Sequence, residues 1–389
     1  MRDSVKIYLK KRCEKSRFFY GDLLTADDNC HIAVIIPVLN EFPSIKDTVN
    51  SLILAGEQTF FRKIRLVFVI NNRFSASDEE KCNNGRCYEF LREISESYKG
   101  VGSNLRITTI AAFEGNKQFG EKDGVGLARK IGMDFALEMG DEILCCLDGD
   151  TTVETTYFSA LIETISPHKA EFALFDFQHS MDNPTTATAI AQYEFFLKSH
   201  SEKLKNCGSP YFPTAISPTV ACTNTAYAQC GGMRENLAGE DFYFLQALIK
   251  TCVLGQMHRQ KTGSPADFFS QIKFIPSVIH PSSRISRRTP FGTGRQVQKN
   301  SSPPEFPQEF YSALKTFYSS MWEFCLTDKI PENLPPPLKS FLEEEDFPLK
   351  FQQIRHNFRN NPRRQMAGFH ILFDGLKEIR FCHYLQNRN

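Results

Sequence analysis

The chain has 389 residues, which suffices for one large α/β domain with an extension or for two domains. Its 46 lysine and arginine residues balance 45 aspartate and glutamate residues, so no overall electrostatic field favours nucleic acid as a partner. No stretch approaches the roughly 18 consecutive apolar residues of a membrane span, and residues 1–20 lack the apolar run of a signal peptide. We therefore expect a soluble, cytoplasmic protein.

The first part of the chain alternates between strand and helix patterns. A charged N-terminal arm is predicted over residues 1–29. Apolar runs bounded by turn residues predict the next elements: a strand over 32–38, a helix with Ile45, Val49 and Leu52 on one face, and further strands over 64–70 and 105–110. Strands that alternate with helices at this spacing indicate a mostly parallel sheet.

A further helix is predicted over residues 124–140, where Ala128, Ile131 and Phe135 form an apolar stripe. Arg129 and Lys130 lie in its first turns, where the helix dipole disfavours positive charge. A nearby anion would offset this cost. A solvated basic face is the alternative, and it suits Lys130 better than Arg129.

The stretch LCCLDGDTT, residues 144–152, combines a short apolar run with two acids around one glycine. It reads as a buried strand, and open α/β sheets bind ligands where such strands end. Asp148 and Asp150 would repel each other there, and their hard oxygen atoms suit Mg²⁺ or Mn²⁺ bridging to substrate phosphates. An ordinary strand-ending turn is the alternative interpretation.

Later patterns predict a helix over 157–165, a strand over 171–178, a helix over 190–204 and an irregular loop over 206–220. Glu240 and Asp241 open another helix, where capping by acids could by itself explain both residues.

A last strand over 271–279 ends at His280. Arg284, Arg287 and Arg288 follow it, together with two loop glycines. Arginine side chains and the backbone N–H groups of such a loop can bind phosphates.

The character of the sequence changes beyond residue 296, where a helical C-terminal extension to residue 389 is predicted. A helix over 306–325 precedes a proline-rich break, and two basic, phenylalanine-rich helices are expected over 349–387. These helices are expected to cover the sheet. Docking on an anionic membrane surface is the alternative.

An ordered series of motifs spans residues 30–295. It consists of VIIPVLNE (34–41), LARKIGMDFAL (127–137), LDGD (147–150), GGMRENLAGEDFYF (231–244) and HPSSR to GTGR (280–295). This series resembles the family 2 glycosyltransferases and related enzymes of the GT-A fold. The resemblance implies an α/β domain over 30–295, with a mostly parallel, Rossmann-like sheet flanked by helices. It also implies a nucleoside-diphosphate sugar as donor and Mn²⁺ or Mg²⁺ as cofactor.

The resemblance also assigns roles to individual positions. Asp241, beside Glu240, is implied as the general base for the acceptor hydroxyl, and Asp148, Asp150 and His280 as metal ligands. Gly231 and Gly232 are implied to shape the acceptor pocket. Donor contacts are implied for Pro37, Val38, Asn40, Glu41, Asp148 and Gly149. Asn71, at the end of the second strand, is a further expected contact, and Arg129 and Arg284 are expected to stabilise the charge of the departing nucleoside diphosphate.

Two positions depart from the family pattern. Relatives commonly end the second strand with an acid that contacts the nucleobase, whereas this chain has Asn71-Asn72, so the base is left open. His280 matches a third metal ligand found in some relatives, including retaining enzymes, so a retaining reaction is the alternative to inversion.

Three further alternatives stay open. One is a non-catalytic nucleotide-sugar-binding protein, and another is a nucleotidyltransferase that would release pyrophosphate. The third is peripheral contact with the inner membrane face. The acceptor is left open as a saccharide, a small molecule or a lipid-linked group.

Overall fold

The structure is a computed structural model. It describes residues 3–13, 29–98, 103–165, 170–214, 216–259, 269–284, 303, 306–327 and 331–388. The chain divides into two compact units. The first comprises residues 1–191, 215–245 and 273–301, and the second comprises residues 192–214, 246–272 and 302–389. The predicted boundaries at residues 29 and 295 stay predictions.

Eight strands from the described residues form one sheet in the first unit. They are β1 (Ile32–Val38), β2 (Ile64–Asn71), β3 (Leu105–Ala112), β4 (Ile143–Cys146), β5 (Thr151–Val153), β6 (Phe172–Phe177), β7 (Val220–Thr223) and β8 (Lys273–Pro281). Every residue of β1, β2 and β4 is buried, and all of these residues except Arg65 and Asn71 of β2 are apolar, as is typical of strands covered on both faces. The strands predicted from apolar runs are all present, with ends shifted by at most two residues.

The strand order is β3-β2-β1-β4-β7-β6-β8-β5. Strand β1 pairs in parallel with β2 and β4, β2 with β3, and β6 with β8, whereas β7 and β5 pair antiparallel to their neighbours. The predicted α/β fold with a Rossmann-like sheet flanked by helices is confirmed. The carboxyl ends of β1 and β4 lie side by side because Ile35 pairs with Cys146.

The helices that begin within the first unit are α1 (Asp3–Lys11), α2 (Ile45–Glu57), α3 (Asp78–Ser97), α4 (Val125–Met139), α5 (Tyr157–Thr164), α6 (Pro184–Cys207), α7 (Asn224–Cys230) and α8 (Glu240–Leu248). Helix α4 packs closely on the sheet because Gly132 has no side chain. A Cβ atom there would lie 2.6 Å from Ile35 Cγ2. Since α4 leads into β4, which runs parallel to β1, its N-terminus lies at the carboxyl edge of these strands.

Helix α1 is held by a buried polar cluster. The hydroxyls of Tyr8 and Tyr227 both donate to Asp134 Oδ1 at 2.8 Å, and Lys130 Nζ donates to Asp134 Oδ2 at 2.6 Å. Lys130 also donates to the carbonyl of Arg12 at 2.8 Å. Of the two interpretations of Lys130, the nearby anion is therefore the one observed, and the alternative of a solvated basic face is wrong for this residue, which is buried against Asp134.

The second unit contains the C-terminal helices α9 (Gln308–Thr327), α10 (Pro336–Glu344), α11 (Phe347–Asn357), α12 (Pro362–Leu372) and α13 (Gly375–Gln386). The prediction of two helices over residues 349–387 is wrong, because three helices share this stretch. Their phenylalanines form an aromatic core, in which Phe317 contacts Phe347, Phe369 and Phe373. Among the described residues, no helix combines the length and apolar character that crossing a bilayer requires.

Glu378 of α13 gives the second unit a pH dependence. Its buried carboxyl accepts hydrogen bonds from the hydroxyls of Ser209 and Tyr318, and burial raises its pKa to about 7 although both hydrogen bonds oppose the rise. Between pH 4.5, the ordinary pKa of a glutamate carboxyl, and about pH 7, the folded state keeps a proton that the unfolded state has lost. Stability therefore falls as pH rises through this window, by on the order of 3 kcal/mol.

We expect Glu378→Gln to remove this decline, because the amide keeps the acceptor oxygen and carries no charge. Urea denaturation followed by circular dichroism, at about pH 5 and about pH 8, measures the effect. Glu309→Gln, on the exposed side of α9, should keep the parental pH dependence. If the free energy of unfolding fell equally between the two pH values in the parent and in Glu378→Gln, the assignment to Glu378 would be contradicted.

Candidate functional site

The Asp148-Gly149-Asp150 turn packs directly against the segment that follows β1. A Cβ atom on Gly149 would lie 2.9 Å from Glu41 Cγ and 3.2 Å from the carbonyl oxygen of Pro37. The hydroxyl of Thr48 donates to the carbonyl of Gly149 at 3.0 Å. Only glycine allows this close approach. The structure thus brings together two regions that the sequence analysis assigned to the donor site.

Arg129 joins two acids at the carboxyl edge of the sheet. Its guanidinium donates through Nη2 to Asp148 and through Nη1 to Glu240, and both Arg129 and Glu240 are buried. The two carboxylates come from the turn after β4 and from the first residue of α8. A planar, two-sided donor suits this bridging role better than an ammonium group.

Burial and neighbouring charges shift the pKa values of Arg129 and Glu240 in opposite directions. Burial alone would lower the pKa of Arg129, but Asp148 and Glu240 outweigh it and hold the pKa above its ordinary value. Burial raises the pKa of Glu240, against the opposing effect of Arg129. Arg129 therefore stays charged, and its dipole cost in α4 is offset by carboxylates of the protein itself.

Two glycines at the start of α4 explain how Glu240 reaches Arg129. A Cβ atom on Gly126 would lie 2.4 Å from the carbonyl oxygen of Arg234, and one on Gly124 would lie 2.8 Å from Leu237 Cα. The segment before α8 therefore lies against the N-terminus of α4. This contact positions the first turn of α8 next to the buried guanidinium.

Arg284 joins a second pair of acids. It donates through Nη2 to Glu41 and through Nε to Asp150, the latter at 2.7 Å. The pairing of β5 with β8 explains the contact, because Thr151 lies opposite Pro281 in an antiparallel ladder. The residue before β5 and the residues after β8 must therefore lie at the same end.

Buried asparagine amides hold the segment after β1. The side chain of Asn84 in α3 accepts from the backbone N–H of Asn40 at 2.9 Å and donates to the carbonyl of Asn71 at 3.0 Å. Asn71 donates to the carbonyl of Val38 at 3.2 Å. Asn40 has a positive φ of 55°, a conformation that asparagine tolerates better than most residues.

No motif in the sequence indicates a role for Asn84, for Thr48 or for the pairing of Glu41 with Arg284. A signal for Asn84 existed. It shares one helical face with Cys87 and Leu91, and a polar residue on such a face must find partners inside the protein. The pairing of Glu41 with Arg284 carries no local signal, because it joins positions far apart in the chain.

The other predicted site residues lie as follows. Pro37 and Val38 end β1, and Asp241 is half-buried in the first turn of α8, where its Oδ1 accepts from the N–H of Phe242 at 2.8 Å. His280 lies in β8 opposite Thr152, and its Nδ1 is 3.1 Å from the carbonyl oxygen of Gln178. Arg287 and Arg288 lie outside the described residues.

Gly231 and Gly232 contact helix α1. Both have positive φ values, and a Cβ atom on Gly232 would lie 2.1 Å from the hydroxyl oxygen of Tyr8. The glycine pair therefore allows α1 to approach α7. A role in shaping the acceptor pocket stays a prediction.

The acids of the site fit a divalent cation only if the donor completes its ligand shell. Among the described residues, which include Asp148, Asp150 and His280, no three His, Cys, Asp or Glu side chains are arranged to hold one metal ion. Mg²⁺ commonly uses one or two carboxylates together with substrate phosphates, and Asp148 and Asp150 meet that smaller requirement. The ligand role of His280 stays a prediction.

No family model matches the chain, and no curated protein matches it. Solved structures do. TarS 1-349 of S. aureus in complex with UDP-GlcNAc is 12% identical, and the match covers 89% of this chain and 91% of that chain with a TM-score of 0.39. The mannosyltransferase PcManGT from Pyrobaculum calidifontis, in complex with GDP-Man and Mn²⁺, is 12% identical over 94% and 91%, with a TM-score of 0.38.

Glucosyl-3-phosphoglycerate synthase from Mycobacterium tuberculosis, in complex with Mn²⁺, UDP and its product, is also similar. It is 12% identical over 82% of this chain and 88% of that chain, with a TM-score of 0.35. Similarity at this level is remote, so the case for a function comes from the residues of the site.

Proposed function

We propose that the protein is a metal-dependent glycosyltransferase that moves a sugar from a nucleoside-diphosphate sugar to an acceptor hydroxyl. The observation that carries the proposal is the Asp148-Gly149-Asp150 turn. It is packed on the segment after β1, and each of its aspartates is joined to an arginine. Groups of both charges gathered at the carboxyl edge of an α/β sheet suit a ligand that brings phosphates and a cation.

The donor would lie across this edge. Pro37, Val38 and Asn40, whose backbone is hydrogen-bonded to Asn84, would line the nucleoside pocket. Arg284 would face the diphosphate from beside Asp150. Arg284 is half-buried, so its guanidinium is accessible to a ligand. A Mg²⁺ or Mn²⁺ ion bound by Asp148, Asp150 and the donor phosphates would supply positive charge for the departing nucleoside diphosphate.

Asp241 is proposed as the general base. It would take the proton of the acceptor hydroxyl while the acceptor oxygen bonds to the sugar C1 and the bond from C1 to the phosphate oxygen breaks. Glu240 is less suited to this task because its carboxylate is buried and bound to Arg129. An in-line displacement of this kind inverts the configuration at C1, and a retaining reaction is the alternative.

The acceptor candidates are a saccharide, a small molecule and a lipid-linked group. A non-catalytic donor-binding protein is the second candidate function. The ion pairs favour it, because both aspartates of the turn already have cationic partners within the protein.

The experiment incubates purified protein with a panel of uridine and guanosine diphosphate sugars and Mn²⁺, then measures released nucleoside diphosphate. We expect release with one donor, a loss with a chelator, and no release by Asp150→Ala. Glu93→Ala, which removes an exposed carboxylate in the second half of α3, should behave as the parent.

A rise in melting temperature with a donor but no release would support the binding protein instead, since a ligand specific for the folded state raises stability. Release of pyrophosphate in a separate incubation with a nucleoside triphosphate and a sugar 1-phosphate would indicate a nucleotidyltransferase. Neither binding nor release with any donor would contradict the proposal.

A further inference from the structure

The loop between α2 and β2 exposes two adjacent aromatic side chains. Phe60 is 77% exposed and Phe61 is 61% exposed, and their rings contact each other edge to face with centroids 6.0 Å apart. Leu54, on the last part of α2, is 55% exposed. Exposed apolar side chains in mutual contact, as Phe60 and Phe61 are, mark interaction sites more often than singly scattered ones do.

The backbone of this loop is firmly held. The side-chain amide of Asn104 donates to the carbonyls of Gly56, Thr59 and Arg62 at 3.0 to 3.2 Å. The buried hydroxyl of Thr59 donates to the carbonyl of Ala55 at 3.2 Å. The two rings are therefore displayed by a fixed turn, and their exposure is a property of the folded loop.

Basic residues follow the aromatic pair directly. Arg62 and Lys63 are both exposed, and Glu57 is the one acidic residue between Leu54 and Lys63. Apolar side chains flanked by lysine and arginine suit an interface in which rings enter the headgroup region and cations meet anionic lipids.

The size of the patch argues against a second protein chain as the occupant. The two phenylalanines at these exposures offer roughly 300 Å² of surface, since a large aromatic side chain buries about 150–250 Å². A stable protein interface buries about 800 Å² on each partner. A bilayer sets no such threshold, because a protruding loop inserts without a complementary partner surface.

We infer that residues 54–63 dock on an anionic membrane surface, with Phe60 and Phe61 inserted among the lipid headgroups. The loop precedes the amino end of β2, whereas Asp148 and Asp150 follow the carboxyl end of β4. Docking therefore leaves the candidate active site at the opposite edge of the sheet. This inference does not rest on the proposed transfer reaction.

The test is sedimentation of the full chain with vesicles of phosphatidylcholine and phosphatidylglycerol, compared with vesicles of phosphatidylcholine alone. We expect binding to the anionic vesicles, and a loss of about tenfold or more for the double variant Phe60→Ser, Phe61→Ser. The double variant Arg62→Gln, Lys63→Gln should bind the anionic vesicles about fivefold more weakly for each charge removed. Most of the salt dependence of binding should also be lost.

Phe195→Ser is the matched control, because Phe195 is 76% exposed on α6 and lies outside the patch. It should bind vesicles as the parent does. Circular dichroism of all variants should match the parent, because none of these side chains is buried.

Three results would overturn the inference. One is no binding to anionic vesicles. Another is binding that survives the double phenylalanine change. A loss in Arg359→Gln with Arg364→Gln would then move the contact to α12 and the turn before it. The third is a dimer in light scattering that the phenylalanine variant dissociates.

Discussion

Replacing Arg129 by methionine is expected to lower the free energy of unfolding by about 3–5 kcal/mol, since removing one partner of a buried ion pair leaves the other charge buried and uncompensated. Here the loss removes the arginine partner of Glu240, whose side chain is 3% exposed, and of Asp148. Methionine fills a similar volume, so little of the effect should come from a cavity. Urea denaturation followed by circular dichroism measures the change.

Two further variants separate charge from packing. Arg129→Lys keeps the charge, but a single ammonium cannot reach two carboxylates with a planar fork, so we expect an intermediate loss. Combining Arg129→Met with Glu240→Gln also removes the carboxylate charge at position 240, so part of the stability should be recovered. A double-mutant cycle measures this coupling directly.

Arg92→Met is the control for removing an ion-paired arginine. Arg92 contacts Glu89, but both side chains are more than half exposed, so this change should stay within about 0.5 kcal/mol of the parent. A loss at Arg129 no larger than the loss at Arg92 would contradict the picture of a buried, bridging guanidinium.

The sequence predicted the sheet well where its strands are buried on both faces. Strand β1 is apolar throughout, and this signal located its ends to the residue. Strands β5 and β7 were missed because they are short, with three and four residues, and pair antiparallel with partners distant in sequence. Helix α3 was missed because its buried face includes Asn84 in place of an apolar residue.

The site was predicted as a set of residues but not as a set of contacts. The resemblance implied donor contacts for both Glu41 and Asp148, in agreement with the rule that the carboxyl ends of parallel strands share one edge of the sheet. The pairing of Arg129 with Glu240 depends on how the segment before α8 lies on α4. That depends in turn on the space left by Gly124 and Gly126, which no periodicity encodes.

Helix caps in the sequence encode the number of C-terminal helices. Asn361 caps α12 by accepting from the N–H of Arg364, and Pro362 occupies its first turn. Asp374 caps α13 in the same way by accepting from the N–H of Lys377. An asparagine or aspartate followed by proline or by a fresh helical pattern marks a helix start, so these positions divide the stretch into the observed helices.

Replacing Asp241 by asparagine is expected to lower kcat by roughly 10²–10⁴, the usual contribution of a positioned general base, while donor binding persists. Asparagine keeps the oxygen that accepts from the N–H of Phe242 at 2.8 Å, so the first turn of α8 should be preserved. The measurements are steady-state release of nucleoside diphosphate with an acceptor, and the donor-induced rise in melting temperature.

The neighbouring acids supply the controls for this prediction. Glu235→Gln, an exposed position before α8, should leave kcat unchanged. Glu240→Gln takes away one of two partners of Arg129, so it should lower stability first and kcat only as a consequence. If Asp241→Asn kept its kcat while Glu240→Gln lost catalysis at full stability, the base would be Glu240 and the division of roles between these acids would be reversed.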